Sequence, residues 1–105
     1  MDFTQTYRFH PGFAFRREGF GGILYHYEGI KPDPRISFID SPFLIDLLER
    51  VDCGPLEALI DAVAGRFALA EADVATIREF FTTLHTRGAL VVQQPMPQQP
   101  IPAHA

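Results

Sequence analysis

Hydrophobic and polar positions alternate over two short stretches near the start of the chain, as they do in β-strands. Residues 13–18 carry aromatic side chains at every second position near their start, and residues 23–27 are β-branched and aromatic. Residues 19–22 lie between them and include three glycines, which permit the positive φ angles of a tight reversal. A third apolar stretch follows at residues 35–39. The pattern predicts a three-stranded antiparallel sheet, preceded by a loose lead-in at residues 1–11.

The spacing of apolar residues then changes to that of amphipathic helices. Ser41 and Pro42 predict the start of a first helix, with the serine side chain accepting from free backbone N–H groups. Gly54 and Pro55 separate the first helix from a second, and Gly88 ends a third. The predicted apolar faces are Phe43, Leu44, Leu47, Leu48 and Val51; then Leu56, Leu59, Ile60, Val63 and Phe67; then Val74, Ile77, Phe80, Phe81 and Leu84.

The order of these elements predicts an α+β fold, in which a three-stranded sheet is followed by three helices packed on one of its faces. Residues 89–92 are predicted to form a short extended piece over the core. The chain has 105 residues, of which 47% are apolar, which suits one domain at residues 1–92. Residues 93–105 are rich in proline and glutamine, and we expect a flexible tail.

Composition and motifs limit the functions that the chain could have. The N-terminus shows no signal-peptide pattern, and no apolar run approaches the length of a membrane helix, so we expect a cytoplasmic protein with no membrane partner. One cysteine, Cys53, allows no disulfide framework within the chain. The four histidines are not at metal-ligand spacing, and residues 19–22 lack the Lys-Ser/Thr of a phosphate-binding loop. We therefore expect no catalytic residue, no metal and no cofactor. A small enzyme or metal-binding protein is the alternative class.

Charge bears on a second alternative, a winged-helix transcriptional regulator that binds DNA. The net charge is −4, and residues 40–79 hold nine acidic residues and three arginines. The third predicted helix, which would be the recognition helix, carries Glu71, Asp73 and Glu79 against Arg78 and Arg87. Because phosphate repels such a helix, we expect no nucleic-acid partner.

Several segments together resemble a known family. The first is His10-Pro11. The second runs from Arg16 to Tyr27 and includes Phe20-Gly21-Gly22-Ile23-Leu24-Tyr25-His26-Tyr27. The third is Phe38-Ile39-Asp40-Ser41-Pro42, together with Leu44. They look like the small PqqD-like peptide chaperones, the recognition elements of ribosomally made and modified peptides (RiPPs). Within that family they are most similar to the chaperones of mycofactocin biosynthesis. The resemblance covers about residues 7–92.

The resemblance implies a winged-helix-like fold and a non-catalytic chaperone. Such a protein binds the leader of a precursor peptide as a strand added to its third strand, beside its third helix. It then presents the precursor to a radical S-adenosylmethionine (SAM) maturase. Transferred to this sequence, the resemblance implies peptide binding by Arg35, Ile36, Ser37, Phe38, Ile39 and Asp40 on the strand, and by Ile77, Phe81 and Leu84 on the helix. The uncovered strand also allows self-pairing, so we expect a monomer or a weak dimer.

Overall fold

The structure, a computed structural model, describes residues 1–26 and 35–93. Residues 27–34, and the predicted tail at residues 93–105 except its first residue, lie outside the described residues. Within the described part the architecture is α+β, as predicted. In chain order the elements are β1 (Tyr7–Phe9), β2 (Phe13–Glu18), β3 (Gly21–His26), β4 (Arg35–Ile39), α1 (Pro42–Glu49), α2 (Leu56–Phe67), α3 (Glu71–Thr86) and β5 (Leu90–Val92).

Strands β2, β3 and β4 form the predicted three-stranded antiparallel sheet, in that spatial order. Its register places Leu24 of β3 between Phe15 of β2 and Ser37 of β4. Gly21 is required at the hairpin: its φ is +148°, and a Cβ there would lie 2.6 Å from the carbonyl oxygen of Ile39. The turn glycines therefore serve the reversal that the sequence predicts, and one of them also permits close contact with β4.

The two faces of this sheet differ. Leu24 and Ile39 are buried on the inner face, where α1 packs against β2 and β3. The outer face carries Ile23 and Tyr25 of β3, whose register partners on β4 are Phe38 and Ile36. Because side chains of a strand alternate between the two faces, the register fixes which residues of β4 point outward.

The prediction of a loose lead-in at residues 1–11 was wrong. Tyr7–Phe9 forms β1, which pairs antiparallel with β5, and this confirms the predicted extended piece near the C-terminal end of the domain. Tyr7 is buried in the core, and its hydroxyl donates to the carbonyl oxygen of Asp2 at 2.7 Å. A strand of three residues is too short to show alternation, and its partner is distant in sequence. A strand thus precedes the sheet and another follows the helices.

The helices begin and end close to the predicted positions, but the first N-terminal cap differs from the prediction. Ser41 is the residue before α1 and Pro42 opens it, yet the Ser41 side chain makes no capping hydrogen bond. At α3, where Ala70 cannot cap through its side chain, the backbone N–H of Ala70 donates to Oδ2 of Asp73 at 3.1 Å. Asp73 thus stabilises the start of α3 from within its first turn.

Candidate functional site

The candidate site is the outer edge of β4. This strand pairs with β3 along one side, and among the described residues no strand pairs with its other side. In an antiparallel ladder, a strand paired on one side leaves the N–H and C=O groups of alternate residues directed away from its neighbour. The edge of β4 therefore offers hydrogen-bonding groups to an extended chain.

Two apolar side chains of β4 are exposed beside this edge. Ile36 is 48% exposed and Phe38 is 73% exposed, and both lie on the outer face of the sheet. On the inner face, Ser37 is exposed whereas Ile39 is buried. An extended chain paired with β4 would thus meet apolar side chains on one face and a small polar residue on the other.

Phe20, which lies in the predicted turn at residues 19–22, extends this apolar surface. It is 67% exposed, and its ring centroid lies 6.2 Å from that of Phe38 at an interplanar angle of 54°. A large aromatic residue between glycines in a tight reversal has no core to enter, and that is the signal that could have identified it. We refer to Phe20, Ile36 and Phe38 as the apolar edge patch.

A groove of about 440 Å³ lies at the connection between the end of β4 and the start of α1. Its lining includes Phe20 and Gly21 of the hairpin, Asp40 and Pro42 after β4, and Phe67 at the end of α2. Asp40 is exposed. The groove shares Phe20 with the apolar edge patch, so it continues that surface beyond the end of the strand.

One carboxylate of the groove is held by an ion-pair cluster. Oδ1 of Asp46 accepts from Nη1 of Arg66 at 3.2 Å and lies 3.4 Å from Nε of Arg50. Asp46 is largely covered, whereas both arginines are substantially exposed. The cluster joins α1 to α2, so it supports one wall of the groove.

The structure separates the predicted site residues into two groups. Ile36, Ser37, Phe38 and Asp40 lie exposed along or just after β4, with Ile39 buried among them; the side chain of Arg35 lies outside what the structure describes. The residues predicted on α3 lie in the core: Ile77 and Phe81 are 0% exposed and Leu84 is 4% exposed. The structure therefore does not bring the α3 residues to the exposed edge.

The described part of the chain has few other features that could indicate a site. It contains no group of three or more histidine, cysteine or acidic residues that could hold a metal ion. Its helices include none that is long and apolar enough to cross a membrane. Burial raises the pKa of the Tyr7 phenol, and hydrogen bonds from Thr4 lower the pKa of Asp2; neither residue belongs to β4 or the apolar edge patch.

The chain matches a known protein family. The model of the peptide chaperone MftB family matches residues 6–91, which run from the residue before β1 into β5. No curated protein and no solved structure matches the chain.

Proposed function

Because the chain belongs to the peptide chaperone MftB family, we propose that it binds the leader of a ribosomally made precursor peptide and delivers it to a radical SAM maturase. The family makes it a PqqD-like RiPP recognition element linked to mycofactocin. The leader adds as a strand to the edge of β4, and the chaperone acts in the cytoplasm without catalysing a reaction. The observation that carries this proposal is a strand edge that no other described strand pairs with, flanked by exposed apolar side chains.

Energetics support a contribution from side chains as well as from the backbone. Each backbone hydrogen bond gives a net gain of only about 0.5–1.5 kcal/mol. Ordering a disordered leader costs roughly 2–5 kcal/mol. Apolar contacts must therefore supply much of the affinity, and Ile36 and Phe38 are placed to supply them. From these gains and costs we expect a dissociation constant in the micromolar range, which corresponds to a binding free energy of about −8 kcal/mol.

We propose two roles for the predicted site residues. Residues 35–40 provide the backbone edge, with Ile36 and Phe38 contacting leader side chains on the outer face. Ile77, Phe81 and Leu84 act indirectly, because they fill the core that holds the sheet and helices together. The three-stranded sheet and the three helices also suit the winged-helix-like arrangement that the family resemblance implies.

Nuclear magnetic resonance titration tests the binding mode. The probe is a synthetic leader segment of the precursor, whose gene we expect beside this one, and a scrambled segment of the same composition is the control. Shifts should concentrate in β4 and at Phe20. Shifts concentrated in β1, β5 or α2 would show that strand addition to β4 is wrong.

Delivery needs a separate experiment, since binding alone does not establish it. The maturase is assayed on the full precursor with and without the chaperone, and with the Phe38→Ala variant. We expect the wild-type chaperone to raise turnover, and the variant to need a higher concentration for the same effect. Equal turnover with and without chaperone would exclude the delivery role.

A further inference from the structure

The edge of β4 is complementary to itself, and we propose that two copies of the chain pair there in antiparallel orientation. The two three-stranded sheets would join into one six-stranded sheet. Edge strands are ordinarily protected from such pairing by proline, lysine, a bulge or a covering element. β4 contains no proline and no lysine, and its one charged residue, Arg35, is at its first position. The strand pairs with β3 residue for residue without a bulge, and among the described residues no strand pairs with its other side.

The alternation of side chains and the length of β4 together indicate the register of this pair. Residues directly opposite each other in an antiparallel ladder lie on the same face of the sheet. A two-fold axis perpendicular to the sheet at Ser37 meets this condition and pairs all five residues of β4. It places Ile36 of each copy opposite Phe38 of the other. The interface would thus contain two apolar cross-strand pairs.

The size of the contact predicts a weak dimer. Stable interfaces bury about 1,200–2,000 Å² in total. A five-residue strand with two exposed apolar side chains covers less than that, so association should depend on concentration. The second copy would use the same backbone groups as the leader. If the proposed function is correct, self-pairing closes the leader-binding edge until a leader displaces the second copy.

Analytical ultracentrifugation tests the pairing and its register. From about 10 µM to about 500 µM protein, the mass should rise from 11.8 kDa toward twice that value. Ile36→Lys and Phe38→Glu should each weaken the dimer roughly tenfold, because each removes two cross-strand apolar pairs. Mixing the two variants should restore a heterodimer, since the lysine introduced at 36 lies opposite the glutamate introduced at 38.

Val92→Lys is the matched control, because Val92 is an exposed apolar residue on the other sheet and its variant should dimerise like the wild type. Circular dichroism verifies that each variant is folded. A monomer at every concentration, a dimer insensitive to both variants, or no recovery on mixing would overturn the proposal.

Adding the synthetic leader segment tests whether the two partners share the edge. The dimer fraction should fall as the leader binds. A leader that binds while the dimer persists would disprove the shared edge. A dimer that forms and obeys the register test with a leader that does not bind would leave self-pairing intact and contradict the proposed function.

Discussion

Replacing Phe38 by alanine should weaken leader binding while leaving the stability of the fold nearly unchanged. Complete burial of a phenylalanine side chain is worth about 1.5–3 kcal/mol. Because Phe38 is 73% exposed, a docked leader can cover at most about three quarters of it, which corresponds to about 1–2 kcal/mol. The dissociation constant should therefore rise roughly 5- to 30-fold.

Phe81 provides the matched comparison, since it is the same residue type in the opposite environment. It is 0% exposed, so Phe81→Ala should lower the free energy of unfolding by about 3–5 kcal/mol, a large share of the 5–15 kcal/mol typical of a domain. Phe81→Leu keeps most of the volume and should stay folded with an unchanged dissociation constant.

Two measurements separate these outcomes. Isothermal titration calorimetry with the synthetic leader gives the dissociation constant, and urea unfolding gives stability. Unfolding is followed by far-ultraviolet circular dichroism because the chain has no tryptophan. The reasoning fails if Phe38→Ala binds the leader like the wild type, or if folded Phe81→Leu loses binding as strongly as Phe38→Ala.

Two further predictions concern stability. Gly21→Ala should cost about 1–3 kcal/mol because of its positive φ and the nearby Ile39 carbonyl, whereas Gly19→Ala, with open space around it, should cost much less in the same urea unfolding experiment. Tyr7 has its pKa raised above its ordinary value of 10.0 by burial, so its contribution to stability is present below pH 10 and is lost as pH rises through the higher folded pKa. The free energy of unfolding should therefore begin to fall near pH 10, and it should fall less in Tyr7→Phe. The same loss of stability at alkaline pH in both proteins would show that ionisation of Tyr7 is not its cause.

Local signals were sufficient to predict the sheet and the helices. Glycines at residues 19–22 between two β-type stretches predict a hairpin, and the structure places it between β2 and β3. Pro42 marks the first turn of α1, and Gly88 follows the end of α3 with a φ of +80°. Each of these features depends on backbone preferences of the residues themselves, so a single sequence contains the information.

Features that depend on distant partners were not predictable in the same way. β1 becomes a strand through its pairing with β5, and Tyr7 enters the core through that pairing. The Ser41 side chain shows the reverse case: its position predicts a cap, but its hydroxyl makes no hydrogen bond to any residue that the structure describes. Local preference sets the site of a helix start, whereas tertiary surroundings decide which hydrogen bonds form there.

The α3 residues show why a helical period cannot by itself identify a binding surface. Ile77, Phe81 and Leu84 recur at the spacing of an apolar face, and that spacing is the same for a core and for a groove. Burial distinguishes the two, and it places all three in the core.

Selectivity at the edge of β4 should therefore come from the outer face of the sheet. A leader paired with β4 points alternate side chains toward that face, where Ile36 and Phe38 lie two residues apart with Phe20 beside them. We expect the bound segment to carry apolar side chains at positions i and i+2. A lysine introduced in the leader at either position should weaken binding more than one introduced at i+1, which faces the small polar side chain of Ser37. Equal losses at all three positions would indicate that the leader is not bound as a strand.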